Sequence, residues 1–129
     1  RLGHHQLVGI RPSDSDRFLL GDLSWLMYRA DGTLEAGVEI LPGIPRVVAV
    51  RQGGQKNSRA PYQQGFILPA SAALKTPASL LLPSLWYGPG KMIDVHRQEK
   101  TLLVRLGRLM RRGMKYDMCA FEIAESDLA

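Results

Sequence analysis

Arginines are the residues of this sequence best suited to bind a ligand, because a guanidinium group binds phosphate oxygens in pairs and stacks on purine rings. One group of arginines stands just before Gly113, in a segment that we predict to be a turn, and another brackets the Ser-Asp-Ser-Asp stretch at 13–16. The Trp-Tyr-Gly-Pro-Gly run that begins at residue 86 offers an aromatic ring for stacking. The sequence therefore predicts a ligand-binding set of Arg11, Arg17, Arg108, Arg111, Arg112 and Trp86.

Some of these residues also have a purely structural interpretation. Arg17 can pair at the surface with Asp14 or Asp16, whose carboxylates would accept backbone hydrogen bonds within a turn. Trp86 lies in a turn between strands, where it can cover the end of a barrel instead of binding a ligand. Both interpretations stay open at the level of the sequence.

The positive charge of the chain is concentrated in one segment. The net charge is +5, and Arg97 to Lys115 carries seven basic residues against the single acidic Glu99. Such a segment predicts an anionic partner, which can be nucleic acid, a phosphorylated small molecule or an acidic protein surface. The alternative is an ordinary solvated hairpin face.

The sequence contains no motif that is typical of an enzyme active site. The three histidines, His4, His5 and His96, have no metal-ligand spacing with cysteines or carboxylates. Nucleophile elbows, phosphate-binding Gly-Lys loops and dinucleotide fingerprints are absent. The sequence therefore predicts a protein that is not an enzyme and needs no metal or cofactor.

The cysteine content and the hydropathy pattern indicate a cytoplasmic protein. Cys119 is the single cysteine and shares a strand face with Phe121 and Ile123, so we expect it to be a small buried hydrophobic residue. No apolar run approaches the ~20 residues of a membrane span, and no secretory signal is present. Because the sequence opens on Arg1 and not on methionine, we expect it to be a piece of a longer polypeptide.

Short alternating segments, separated by Gly, Pro or Asp-Gly, predict an antiparallel all-β fold. We expect one domain, which a length of 129 residues can fill with an ordinary core. A short helical turn is expected at 70–75. The predicted strands are Leu7 to Arg11, Phe18 to Leu41 as a hairpin, Arg46 to Arg51, Phe66 to Leu68, Ser79 to Leu82, Lys91 to His96, Thr101 to Leu106 and Tyr116 to Ile123.

The hairpin between Phe18 and Leu41 has the clearest pattern. If Asp31-Gly32 is a two-residue turn, the cross-strand pairs are Met27 with Ala36, Trp25 with Val38, Leu23 with Ile40, Tyr28 with Glu35 and Ser24 with Glu39. This register predicts one continuous apolar face for burial and one wet face.

The same hairpin resembles the later strands of PilZ-type domains. The residues that carry the resemblance are the Phe-Leu-Leu-Gly-Asp-Leu-Ser-Trp-Leu run at 18–26, Asp31-Gly32, and the Glu-Ala-Gly-Val-Glu-Ile-Leu run at 35–41. The ligand motifs of that family, Arg-x-x-x-Arg and Asp/Asn-x-Ser-x-x-Gly, are not in their expected places. Asp22-Leu23-Ser24 begins like the second motif, but Met27 stands where the glycine belongs.

The resemblance implies a bacterial cytoplasmic regulatory domain with a six-stranded antiparallel barrel, which binds cyclic di-GMP and relays the signal to a protein partner. It places the barrel core at about 7–51, a Gly-rich polar loop at 52–64 and additional β-strands at 65–124. The alternative function is a small basic β-barrel that binds RNA or single-stranded DNA through Arg97 to Lys115.

Overall fold

The computed structural model describes residues 6–11, 13, 17–53 and 60–125, and these residues form nine β-strands and no helix. At 72–75 the chain forms a tight turn, closed by the bridge between Ser71 and Thr76, where a helical turn was expected. The strands are β1 (Gln6–Ile10), β2 (Leu19–Tyr28), β3 (Leu34–Ile40), β4 (Arg46–Gln52), β5 (Gln63–Leu68), β6 (Ser79–Pro83), β7 (Met92–Arg97), β8 (Lys100–Arg112) and β9 (Tyr116–Glu125).

Six of the strands close into an antiparallel barrel with the order β4-β5-β6-β9-β8-β7, and β1-β2-β3 form a separate antiparallel sheet. The prediction of an all-β fold with a six-stranded barrel and additional strands is confirmed. The assignment of the barrel core to 7–51 is wrong, because β4 pairs with β5 and β7 and the first three strands form the additional sheet. Gly43, at a φ of 87° and next to the Pro69 ring, turns the chain between the two parts.

Two hydrophobic clusters result from this arrangement. The barrel interior holds Val48, Val50, Leu80, Leu82, Ile93, Val95, Val104, Leu106 and Cys119. The second cluster joins the outer wall of the barrel to the three-stranded sheet and holds Leu20, Leu41, Leu68, Leu81, Tyr116 and Met118. Because β6 has a covered face on each side, its Ser-Leu-Leu-Leu-Pro run is apolar without alternation.

The hairpin turn has three loop residues, so the predicted register is wrong by one residue. The Arg29 carbonyl accepts the Gly32 N–H at 3.0 Å, the Arg29 N–H donates to Thr33, and Gly32 has a φ of 86°. This is a turn followed by a left-handed glycine, a common alternative to the two-residue hairpin loop. The resulting pairs include Tyr28 with Leu34 and Met27 with Glu35.

A bulge at Ser24 also divides the apolar face that the sequence predicted. Leu23 pairs with Val38, whereas Trp25 pairs with Gly37. The Trp25 ring fills the space that a Cβ atom at position 37 would need. The residues of β2 that are buried against the barrel are Leu20 and Asp22. Met27, Val38 and Ile40, which were expected in the core, are 51%, 40% and 47% exposed.

Within the part of the chain that is described, no helix is long and apolar enough to cross a membrane.

Candidate ligand groove

Arg111 joins the barrel to the three-stranded sheet. From β8, its guanidinium donates to Asp22 of β2 at 3.2 Å and to Glu39 of β3 at 2.5 Å. Tyr116 of β9 donates its hydroxyl hydrogen to the same oxygen of Asp22, which is 1% exposed. A phosphate at Arg111 would have to compete with two carboxylates that already bind this side chain.

The pKa values of this network reflect its burial and its hydrogen bonds. Burial disfavours the charged guanidinium, but the hydrogen bonds to Glu39 and Asp22 outweigh burial and raise the pKa of Arg111. Burial, together with the Asp22 carboxylate, raises the pKa of Tyr116 far above its ordinary value. The phenol therefore remains a hydrogen-bond donor to Asp22 at neutral pH.

Arg112 has a different partner from Arg111, because successive side chains of a strand point to opposite faces. Its Nε donates to Asp117 at 3.2 Å, and the fully buried Asp117 also accepts the backbone N–H of Tyr87 at 3.1 Å. Trp86 and Tyr87 pack against the cluster inside the barrel. Trp86 thus covers the barrel core, in agreement with its structural interpretation. Arg112 binds Asp117, the carboxylate that anchors the segment of Trp86 and Tyr87.

The other three predicted arginines are exposed. Arg11 follows β1 and Arg17 precedes β2, beside the pair formed by Ile10 and Leu19. Arg108 belongs to β8, in a stretch where the register with β9 shifts, and not to the predicted turn. The aspartates proposed as partners of Arg17 lie outside the described residues. The structure therefore distributes the predicted set over several elements.

The basic residues from Arg97 to Lys115 are also spread over a long stretch of the molecule. Most of it forms β8, whose 13 residues extend over roughly 40 Å at about 3.3 Å per residue. Arg105 pairs with Glu122 at 3.1 Å, in addition to the ion pairs of Arg111 and Arg112. The seven cations accordingly do not form one compact patch.

A groove of about 810 Å³ lies on the barrel wall where β4 extends past the end of β7. In the register of the described strands, β7 pairs with β4 from Ala49 to Gln52, whereas β5 pairs with it from Arg46 to Val50. The Arg46–Val48 stretch consequently borders an opening. Residues of three segments line this groove, at 46–49, 62–64 and 96–98.

Aromatic and amide side chains surround a small residue in the groove. Ala49 pairs with Gln64 on one side and His96 on the other. The Tyr62 and His96 rings are 6.0 Å apart between centroids. The guanidinium carbon of Arg51 lies 4.4 Å from the Tyr62 ring centroid, and Arg51 also pairs with Asp94 at 3.2 Å. Tyr62 is therefore held in place by a neighbouring cation.

The charged residues in the groove lining are basic. Arg46 and Arg97 are the charged residues of the lining, and the described residues that line the groove include no carboxylate. A concave surface with one sign of charge concentrates ligands of the opposite sign. The groove can therefore bind an anion that carries a planar ring.

The groove was not predicted from the sequence, because its residues come from three separated segments. Only Arg97 belonged to a segment singled out for its charge, and Tyr62 lay in the predicted polar loop, of which residues 54–59 are outside the described part. One usable signal was the outward position of Val47, Ala49 and Arg51 on a strand whose other face is apolar. The long-range pairing that brings Gln64 and His96 beside Ala49 has no local signature.

Cys119 and the metal-binding side chains of the described residues do not form a second candidate site. Cys119 is fully buried in the barrel, as expected, and burial raises the pKa of its thiol to about 12. The described residues include no group of three or more His, Cys, Asp or Glu side chains that could hold a metal ion.

Comparison with known proteins identifies the barrel. Residues 48–124 match the model of the FimW C-terminal beta-barrel domain, and this range runs from β4 into β9 and covers more than half of the chain. No curated protein and no solved structure matches the chain. The match supports a β-barrel domain but does not identify it as PilZ, and the hairpin with the PilZ resemblance precedes the matched residues. The chain belongs to the FimW C-terminal β-barrel domain family, which supports a bacterial domain of the regulatory or interaction type.

Proposed function

We propose that this chain is a non-catalytic, cytoplasmic regulatory domain that binds cyclic di-GMP and relays the signal to a protein partner. The family of the barrel supports a regulatory or interaction role, and the hairpin at 18–41 resembles a family of cyclic di-GMP receptors. The two parts of the chain share a buried cluster, so a ligand on the barrel and a partner on the sheet can influence one another.

The observation that carries this proposal is the composition of the groove. It combines Arg46 and Arg97 with a half-exposed Tyr62, and its volume of about 810 Å³ lies in the range of small-molecule sites. Cyclic di-GMP presents two phosphodiesters and two guanines, which are the groups that arginine and aromatic side chains bind.

Nucleic acid is the competing ligand, because the net charge is positive and most basic residues near the C-terminal end lie on one strand. Three of those residues are engaged by Asp22, Glu122 and Asp117, which weakens their attraction for a phosphate backbone. We therefore place nucleic acid second.

Calorimetric titration of the chain with cyclic di-GMP and, in parallel, with a single-stranded oligonucleotide separates the two functions. We expect saturable binding of cyclic di-GMP that survives a fourfold rise in salt concentration with a modest loss of affinity, since the ligand has only two phosphates. An oligonucleotide ligand would lose affinity steeply over the same change. No heat with cyclic di-GMP, or tighter and strongly salt-dependent binding of the oligonucleotide, would overturn the proposal.

A further inference from the structure

We propose that the groove over Ala49 is the nucleotide site of this barrel, with Arg46 and Arg97 bound to the phosphodiester and the Tyr62–His96 side holding the guanine. This inference rests on the proposed function and assigns its ligand to residues outside the arginine set predicted from the sequence. It places the site at the opening between β4 and β7, away from the three-stranded sheet.

The phosphate position follows from the charges. Arg46 begins β4 and Arg97 ends β7, and the antiparallel register of these strands places both residues at the same end of the opening. Arg51, which is near the other end, is paired with Asp94 and stacked on Tyr62. Two arginines, in a lining whose described residues include no carboxylate, suit the non-bridging oxygens of one phosphodiester.

The guanine position follows from the rings and the amides. Tyr62 is 38% exposed and is supported from one side by Arg51, so a purine can pack against the remaining ring surface without ordering a mobile side chain. Gln63, Gln64 and Gln98 add amide donors and acceptors to the lining, which match the polar edge of guanine. Ala49, between Gln64 and His96, leaves room for the base.

Competing arginines of the chain are less suited to a phosphate. Arg111 and Arg112 are bound to carboxylates that are 1% and 0% exposed, and displacing either arginine would leave a buried charge unpaired. Among the described residues, no carboxylate lines the groove beside Arg46 or Arg97, so a phosphate bound there separates no ion pair within the lining. We therefore locate the site by whether an arginine is bound to a buried carboxylate, and not by the number of arginines in a segment.

The test compares the cyclic di-GMP affinity of the intact chain with that of Arg46→Ala/Arg97→Ala. We expect the double variant to bind at least ~10-fold more weakly, because two charge-assisted contacts are lost. The matched control is Arg105→Ala/Lys115→Ala, which removes two exposed positive charges elsewhere on the barrel and its adjacent turn. This control should stay within about twofold of the unchanged chain, because exposed distant charges are screened.

A second variant tests the groove without removing a positive side chain. Ala49→Glu places a larger, negatively charged side chain between Gln64 and His96, and we expect at least ~10-fold weaker cyclic di-GMP binding because this side chain fills the space for the base and its charge repels the nearby phosphodiester. Thermal unfolding by circular dichroism verifies that each variant retains the fold. Ala49→Gln, of nearly the same size, should bind more tightly than Ala49→Glu.

The outcomes distinguish the site from the function. If the intact chain binds cyclic di-GMP and both groove variants bind equally well, the groove assignment is wrong and the proposed function stands. Equal losses in the groove double variant and the Arg105/Lys115 control would also overturn the assignment, since they indicate a general charge effect. If the intact chain does not bind cyclic di-GMP, the proposed function and the groove assignment are both overturned.

Discussion

The thiol of Cys119 is a small apolar group of the barrel interior. Its side chain has no solvent exposure, and its Sγ lies 3.7 Å from the Leu80 carbonyl oxygen. Burial, with a smaller contribution from the Asp117 carboxylate, raises the pKa of the thiol from 9.0 to about 12. Because the thiolate is the nucleophile, the folded chain should resist alkylation.

We predict that iodoacetamide at about pH 9 alkylates Cys119 at least ~100-fold more slowly in the folded chain than in urea. The measurement is the rate of mass increase by mass spectrometry, and the urea sample serves as the control for reagent activity. The unfolded chain releases this proton at a lower pH than the folded chain, so stability should fall as the pH rises above about 9. Rapid stoichiometric labelling under native conditions would contradict a buried thiol.

The hairpin turn shows how one residue sets the register of an element. The Asp31 carboxylate accepts hydrogen bonds from the Thr33 hydroxyl at 2.6 Å and the Thr33 N–H at 3.0 Å, and these bonds lower the pKa of Asp31. Gly32 follows with a φ of 86°, a conformation that costs an L-residue roughly 1–2 kcal/mol. The turn therefore depends on glycine at 32.

We predict that Gly32→Ala lowers the free energy of unfolding by about 1 kcal/mol, measured by urea denaturation. No atom lies within 4 Å of the added Cβ, so the whole cost comes from the backbone conformation. Gly32→Asn should lose less, because asparagine tolerates the left-handed region. Gly88→Ala is the control, since its added Cβ meets only ordinary contacts, and a loss as large as that of Gly32→Ala would point away from the backbone explanation.

The elements were more predictable than their assembly. Alternation in β4, β7 and β9 is a local property, so the sequence contains it, and every strand of the structure overlaps a predicted one. Which strands share a sheet depends on long-range pairing, which has no local signature. The resemblance of the hairpin to PilZ-type domains led to a barrel predicted in the first half of the chain, whereas β4 to β9 form it. The unbroken apolar run of β6 was the available signal that the second half holds the central, doubly covered wall.

The candidate site was less predictable still. A cluster of arginines in sequence predicted a phosphate site, but strand alternation separates Arg111 from Arg112, and buried carboxylates occupy both. Arg111 is 89 residues from Asp22 and 72 residues from Glu39 in the sequence, whereas Arg112 is 5 residues from Asp117. Pairing over such separations cannot be derived from local spacing.

At the scale of the molecule, the barrel and the three-stranded sheet are joined by one apolar cluster and one polar network. Leu20 and Leu41 contribute to the cluster from the sheet side, and Asp22 contributes to the network. Each part also contains one of the two tryptophans, Trp25 on β2 and Trp86 against the barrel core. Fluorescence can therefore follow the unfolding of the two parts separately.

We predict that Asp22→Ala lowers the stability of the chain by about 2–4 kcal/mol, because it leaves Arg111 and the buried Tyr116 hydroxyl without their shared acceptor. The loss should fall mainly on the sheet, whose contact with the barrel is weakened. In a Trp86→Phe background, urea unfolding followed through Trp25 should shift to lower urea. In a Trp25→Phe background, the transition followed through Trp86 should move less.

Glu39→Gln provides the comparison that separates the buried contact from the exposed one. Glu39 also binds Arg111, but its side chain is 61% exposed, so solvent screens the interaction and the transition should stay close to that of the matching background. Coincident Trp25 and Trp86 transitions in Asp22→Ala would show that the apolar cluster alone keeps the two parts cooperative. Separated transitions would identify Asp22 as the residue through which the barrel, and any ligand on it, stabilises the sheet.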